Sequence, residues 1–148
     1  MIPYPFWVFT YLSLRGWPDH MEYKTGAAPR ESMKFRVDTD RRRELVSRII
    51  GSSFTSYFES ERTRIRQRYG SDASKWPDVL NYARHVRNGF AHGGSFDIRN
   101  PNAPRVAWGI WTLGPQENGD PVLFGGKSML PADIIWLMKD IDSSLSQP

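Results

Sequence analysis

The sequence predicts a mainly α-helical, antiparallel bundle with a β-hairpin inserted before its last helix. Apolar residues recur at spacings of three and four along residues 40–69, 76–90 and 131–145, which is the pattern of a helix with one buried face. Residues 104–126 instead hold short apolar runs separated by turn-forming residues. A chain of 148 residues can build one core without covalent staples, so we expect a single domain over residues 1–148.

The first long helix is expected to follow a polar cap at Asp38, Thr39 or Asp40 and to end at Gly70. Its apolar stripe consists of Leu45, Val46, Ile49, Ile50, Phe54, Tyr57 and Phe58. Acidic residues near its basic runs at 41–43 and 62–68 have the spacing for ion pairs within the helix.

The second helix is expected to open at Ser71, Asp72 or Ser74, with Pro77 in its first turn, and to stop at the glycine pair 93–94. Its apolar face consists of Trp76, Val79, Leu80, Ala83, Val86 and Phe90. Residues 40–94 therefore form a helix pair.

The hairpin is assigned to a strand over 106–113 that pairs with a second strand over 122–124. The residues between them are rich in Pro, Gly, Asn and Asp, which favour turns. Pro131 suits the start of the last helix, whose stripe is Ile134, Met138, Ile141 and Leu145.

Residues 1–38 combine an apolar segment over 2–14 with a loop region over 15–38. The apolar segment is about 13 residues long, whereas a membrane span needs about 20. It contains Pro3 and Pro5, and no basic stretch precedes it, so it lacks the form of a signal peptide. We expect a core-packing element with no membrane association; a dimer contact and a surface anchor are the alternatives.

The composition favours an anionic partner in a reducing compartment. The chain has no Cys, which excludes disulfides, thiol nucleophiles and Cys-rich zinc sites and fits a cytoplasmic protein. Lys and Arg number 20 against 16 Asp and Glu, and 15 of the basic residues are Arg, which binds phosphate in a bidentate manner. No glycine-rich phosphate loop or zinc-ligand spacing occurs, so we expect neither a cofactor nor a metal.

The most informative residues end the second helix: Arg87-Asn88-Gly89-Phe90-Ala91-His92-Gly93-Gly94. They resemble the Arg-x4–6-His signature of HEPN domains, in which a polar residue, often Asn, follows the Arg. A second Arg-x4-His match begins at Arg15 and ends at His20, but Gly16 and Pro18 argue against a helix there.

The resemblance implies a HEPN-like helical bundle and a metal-independent endoribonuclease that acts as a homodimer. It also implies a toxin or phage-defence effector with a neutralising antitoxin protein. His92 would serve as general acid or base and Arg87 would stabilise the phosphorane, with Asn88 in support. The products would be a 2′,3′-cyclic phosphate and a free 5′-hydroxyl.

Helix geometry places Arg87 at the edge of the apolar face and His92 about 140° around the axis from it. One straight helix therefore does not direct both side chains at one phosphate. Two explanations stay open: the helix loosens near Gly89 and Gly93, or two chains place their motifs face to face.

RNA contacts are assigned to Arg62, Arg66, Arg84 and His85. Each candidate also has a structural alternative. Arg87, at the edge of the apolar face, suits a salt bridge to a core carboxylate, and His92 suits a favourable position at a helix C-terminus. For Asn88 the alternative is a solvated surface amide, and for His85 it is a packed or solvated ring. For the arginine runs it is a salt-bridged helix surface. Glu59 and Glu61 point to different sides of a helix and make a poor catalytic carboxylate pair.

The alternative function is a non-catalytic HEPN-like module that binds RNA or protein.

Overall fold

The computed structural model describes residues 39–125 and 128–146. The expected apolar element at 2–14 and the loop at 15–38 lie outside these residues. The chain divides into two compact units, 1–46 and 47–148. The described residues of the first unit are the opening of the first helix, and the candidate site lies within the second unit.

The described part of the chain is mainly helical and carries one small hairpin. Three α-helices are present: α1 (Thr39–Tyr69), α2 (Asp78–Ala91) and α3 (Pro131–Ser146). Strands β1 (Val106–Trp108) and β2 (Trp111–Leu113) precede α3, and short 3₁₀ helices occur at Ala73–Lys75 and Pro115–Glu117. The bounds of α1 and α3 confirm the predicted first and last helices to within two residues, and the position of the hairpin before the last helix is also confirmed. The predicted opening of the second helix at Ser71, Asp72 or Ser74 is wrong, because α2 begins at Asp78.

Helices α1 and α2 run antiparallel and are joined by a short turn after Gly70. Phe54 of α1 meets Phe90 of α2 with ring centroids 6.1 Å apart, and the Trp76 indole donates to the Gly70 carbonyl at 2.9 Å. Asp72 caps the 3₁₀ helix by accepting from the Ser74 amide. The expected polar opening therefore caps this 3₁₀ helix, and α2 itself begins after Pro77, with no side-chain cap.

Helix α3 runs in the same direction as α1. The Tyr57 hydroxyl donates to the Met138 carbonyl at 2.9 Å, and the Tyr69 hydroxyl donates to the Ser144 carbonyl at 3.0 Å. Both α3 and the hairpin pack on α2. The core of the 47–148 unit combines buried apolar residues of all three helices, among them Ile50, Phe54, Phe58, Ile65, Leu80, Ala83, Val86, Ile134, Leu137 and Ile141.

The predicted pairing of the hairpin is wrong. Residues 106–113 do not form one strand, because the chain reverses at Gly109 and Ile110 and pairs Val106 with Leu113. Gly109 has a φ of +58°, which allows this tight turn. The Trp108 and Trp111 rings stack 5.1 Å apart across the two strands. Residues 121–123 instead form isolated bridges to Ser95 and Met129.

The end of α2 is fixed by its glycines. The helix stays regular through Gly89 to Ala91, so one of the two open explanations, a helix that loosens near Gly89, does not apply there. Gly93 and Gly94 have positive φ, and the Gly94 amide donates back to the Gly89 carbonyl at 2.8 Å, which confirms the predicted glycine stop. A Cβ built at Gly89 would lie 2.6 Å from Val122 Cγ2, so the segment around Val122 packs directly on this turn of the helix.

Candidate functional site

Arg87 projects from α2 toward α1 and forms an ion pair between the two helices. Its Nη2 lies 2.6 Å from Glu59 Oε1, and its Nη1 donates to Asn88 Oδ1 at 3.1 Å. The Nε atom is buried without a hydrogen-bond partner. Both terminal nitrogens of the guanidinium are therefore held, and Asn88 acts on Arg87 directly. The structural alternative for Arg87, a salt bridge, is therefore present, although its partner Glu59 is about one-third exposed and is not a core carboxylate.

Glu59 joins two of the candidate arginines. While Oε1 contacts Arg87, Oε2 accepts from Arg62 Nη1 at 3.1 Å, one helical turn along α1. Arg62 and Arg87 therefore share one carboxylate, although they belong to different helices.

These side chains line a concavity of about 250 Å³ between α1, α2 and the turn that joins them. Four guanidinium groups and one carboxylate face it, together with the Asn88 amide. The lining residues are Phe58, Glu59, Arg62, Arg66, Ser71, Ala73, Trp76, Arg84, Arg87 and Asn88. The structure thus brings together five predicted site residues: Arg62, Arg66, Arg84, Arg87 and Asn88. The excess of positive charge makes this concavity suited to an anion.

Arg84 is half-buried and is held by two neutral groups. Its Nε donates to Asn81 Oδ1 at 3.4 Å, and its Nη2 lies 3.3 Å from His85 Nε2. Because a guanidinium can only donate, the imidazole nitrogen accepts. Burial, assisted by the Arg84 charge, lowers the pKa of His85 to about 4, so the ring is neutral near pH 7.

His85 is buried, and its assignment as an RNA contact is therefore corrected. The residue is 9% exposed, and its Nδ1 has no hydrogen-bond partner. It was assigned to RNA because it lies seven residues before His92 and thus on nearly the same helical face. That face turns into the protein nearly two turns before the end of α2, and the ring packs inside. The packed ring was the structural alternative.

His92 lies apart from Arg87. It is the C-cap of α2, its side chain is 56% exposed, and its Nε2 lies 3.7 Å from Asp97 Oδ2. The Arg99 guanidinium, which donates to Asp97 at 2.7 Å, holds the pKa of Asp97 below its usual range, with a smaller contribution from His92. Within one chain, Arg87 and His92 contact different carboxylates, and His92 does not line the arginine concavity.

Two acidic residues near the motif were missed as site residues. The sequence showed that Glu59 is spaced to pair with Arg62, but the contact with Arg87 depends on how α1 and α2 pack. Asp97 follows the glycine stop, and its proximity to His92 had no signal in the periodicity. The neighbouring Glu61 pairs with Arg64 at 2.7 Å outside the concavity, as expected for a salt-bridged helix surface.

Neither a metal site nor a membrane span is found in the described residues. Across 39–125 and 128–146, no three His, Asp or Glu side chains cluster as metal ligands would. None of the helices in this part of the chain combines the length and the apolar character of a membrane span.

The fold and the site define a mainly helical protein whose arginine-lined concavity lies between its first two helices. No family model matches the chain, and neither a curated protein nor a solved structure matches it.

Proposed function

We propose that this protein is a metal-independent endoribonuclease of the HEPN type that acts as a homodimer with a composite active site. One observation carries the proposal: Arg87 and Asn88 of the motif line a concavity that three further arginines share. An RNA strand is a polyanion, and guanidinium groups are the side chains best shaped to hold its phosphates.

The substrate supplies the nucleophile. The 2′-oxygen attacks the adjacent phosphorus, the bond from phosphorus to the 5′-oxygen breaks, and a 2′,3′-cyclic phosphate forms. The 2′-hydroxyl gives up its proton to a base, and the departing 5′-oxygen takes one from an acid. An imidazole suits both proton transfers near neutral pH. His92 is exposed at the end of α2, where a second chain can approach it.

Arg87 stabilises the negative charge that builds up on the phosphorane oxygens. Asn88 orients its guanidinium through the 3.1 Å hydrogen bond. Glu59 occupies Nη2 of the same guanidinium, so a phosphate must displace or share this carboxylate when it binds. The dimer supplies what one chain lacks, because the His92 of one protomer completes the site of its partner.

The biological role that accompanies this activity is that of a cytoplasmic toxin or phage-defence effector restrained by an antitoxin protein. The HEPN resemblance of the motif supports this part of the proposal.

The second candidate is a non-catalytic module that binds RNA or a protein partner. A specific observation favours it: within one chain, Arg87 is tied to Glu59 while His92 contacts Asp97 on a separate surface. Such a module needs the arginine concavity but no acid or base.

Cleavage of an end-labelled structured RNA in excess EDTA separates the two candidates. We expect the wild-type protein to leave cyclic-phosphate ends and His92→Ala to lose at least about a hundredfold in rate while keeping its RNA affinity. His20→Ala is the matched control, because His20 ends the other Arg-x4-His match. Equal cleavage by all three proteins would contradict the assignment of His92, and no cleavage by any would favour the binding module.

A further inference from the structure

Arg84 is a partly desolvated cation with no carboxylate partner in the described part of the chain. Its two hydrogen bonds go to the Asn81 amide oxygen and the His85 imidazole, which are both neutral. Burial lowers the pKa of Arg84, which reflects the cost of removing its charge from water. A charge that is removed from water is normally compensated by an opposite charge nearby. In the described part of the chain, the Arg84 guanidinium has no such anion beside it.

The remainder of the concavity does not supply that charge. Among the described residues that line it, Glu59 is the only acidic one, and this carboxylate is already shared by Arg62 and Arg87. An anion that enters the concavity would therefore meet Arg84 without displacing any internal partner, whereas at Arg87 it competes with Glu59.

Asn81 and His85 fix the direction of Arg84. Both residues are buried, and the Asn81 amide also donates to the Trp76 carbonyl at 3.0 Å, which anchors it to the start of α2. With Nε and Nη2 held, Nη1 keeps two N–H donors that make no hydrogen bond to a described residue. A guanidinium held in this manner loses little conformational entropy when it binds a phosphate.

We propose that Arg84, oriented by Asn81 and His85, binds the RNA phosphate next to the one that Arg87 holds. Arg84 and Arg87 are three residues apart on α2, so their Cβ atoms are neighbours at about 5–6 Å, and both line the same concavity. This inference rests on the proposed function for its ligand, a single RNA strand. It makes Arg84 a phosphate-binding residue and assigns Asn81 and His85 to its positioning.

The test measures binding of a 2′-O-methyl RNA oligonucleotide by fluorescence anisotropy, because this RNA has no free 2′-hydroxyl and cannot be cleaved. Arg84→Gln is compared with Arg64→Gln, which removes the same charge from an exposed position outside the concavity. We expect Arg84→Gln to weaken binding about tenfold more than Arg64→Gln. The slope of the logarithm of the RNA association constant against the logarithm of the salt concentration should be smaller in magnitude for Arg84→Gln than for the wild type. The expected difference is about 0.7, for the one lost phosphate contact.

Thermal unfolding of the same variants excludes a purely structural role. The neutral amide in Arg84→Gln removes an uncompensated charge, so we expect a midpoint at or above that of the wild type. A variant that unfolds, or whose lost affinity follows its unfolded fraction, would show that Arg84 supports the fold and would overturn the proposal. Binding no weaker than that of Arg64→Gln would overturn it as well.

The positioning role of His85 is tested by coupling. His85→Leu removes the acceptor and should weaken RNA binding, whereas His85→Gln offers an amide oxygen and should restore part of the affinity. In the Arg84→Gln background His85→Leu should have no further effect, because it acts through Arg84. Additive losses would contradict this role.

These results are separable from the proposed nuclease activity. If the wild type fails to cleave ordinary RNA while Arg84→Gln selectively loses binding, the nuclease proposal fails and the phosphate subsite stands. If the wild type cleaves RNA and Arg84→Gln binds normally, the subsite fails alone.

Discussion

The Glu59 carboxylate lies 2.6 Å from the Arg87 guanidinium and ties α1 to the helix that carries the Arg-x4-His motif. The same carboxylate accepts from Arg62 at 3.1 Å. In the free chain, Glu59 therefore occupies two of the guanidinium groups that line the concavity. If the protein binds RNA as we propose, Glu59 competes with the RNA phosphates for these two groups.

Glu59→Gln should accordingly strengthen RNA binding. The side chains of Glu59 and Arg87 are about one-third exposed, and an ion pair of this kind contributes at most about 1 kcal/mol. Removing the competing charge should raise the affinity for uncleavable RNA about three- to fivefold, measured by fluorescence anisotropy. Glu61→Gln is the matched control, because it removes the same charge from a pair that lies outside the concavity. Weaker binding by Glu59→Gln would show instead that the carboxylate orients Arg87 for RNA.

His85 should make the fold sensitive to acid. Its pKa in the fold is about 4 against an ordinary 6.5, so between these values the unfolded chain binds more protons than the folded chain. This contribution to stability is complete above pH 6.5 and is lost as the pH falls toward 4. A shift of this size corresponds to about 3 kcal/mol.

Urea unfolding at a series of pH values from 7 to 4 checks this prediction. The stability of His85→Gln should change less with pH than that of the wild type, because Gln does not titrate. His92→Gln provides the comparison at an exposed position at the end of the same helix. Identical pH profiles for wild type and His85→Gln would contradict the buried, neutral state of the ring.

Gly89→Ala should destabilise the protein although Ala favours helices. Helix propensity alone predicts a gain of about 1 kcal/mol. The added Cβ, however, would lie 2.6 Å from Val122 Cγ2 and 3.1 Å from the Ser95 carbonyl oxygen, so the neighbouring segment must move. Overpacking of this kind costs about 1–3 kcal/mol, and we expect a net loss in urea unfolding.

Ala91→Gly calibrates the propensity term, because Ala91 is an exposed residue of the same helix. It should destabilise the protein by at most about 1 kcal/mol. If Gly89→Ala instead gains about this much stability, the segment around Val122 can move to accommodate the added Cβ without a loss of stability.

The sequence could predict elements whose signals are local. The bounds of α1 follow from its apolar stripe and from Gly70, and the end of α2 follows from the glycine pair. The hairpin pairing was wrong because residues 106–113 form one apolar run whose only turn signal is Gly109. A turn of only two residues hardly changes the apolar pattern of such a run. The stacking of Trp108 on Trp111 stabilises the hairpin, but it arises only once the two strands have paired.

The candidate site was predictable in its residue types but not in its connections. The motif and the arginine spacing indicated Arg87 together with Arg62 and Arg66, which the structure brings into one concavity. The contact of Glu59 with Arg87 depends on the packing register of two helices, which apolar periodicity does not determine. The spacing of seven residues between His85 and His92 indicates a shared helical face, but it does not show that this face is buried at His85.

Because Arg87 and His92 contact different carboxylates within one chain, a composite site must take one of these residues from each protomer. Two inactive variants, one lacking Arg87 and the other lacking His92, should therefore restore RNA cleavage when they are mixed. Arg87→Ala and His92→Ala should each be inactive in RNA cleavage. When they are mixed equally, about half of a freely exchanging set of homodimers contains one subunit of each kind. Such a dimer brings one intact Arg87 and one intact His92 to the shared interface, so cleavage should partly return.

Mixing Arg87→Ala with the double variant Arg87→Ala/His92→Ala is the control, because no dimer in that mixture contains Arg87. It should remain inactive while the first mixture gains activity as subunits exchange. An inactive first mixture, with exchange verified by differently tagged subunits, would contradict a composite site. The 2.6 Å contact of Arg87 with Glu59 and the 3.7 Å contact of His92 with Asp97 would then mark two separate surfaces of a binding module.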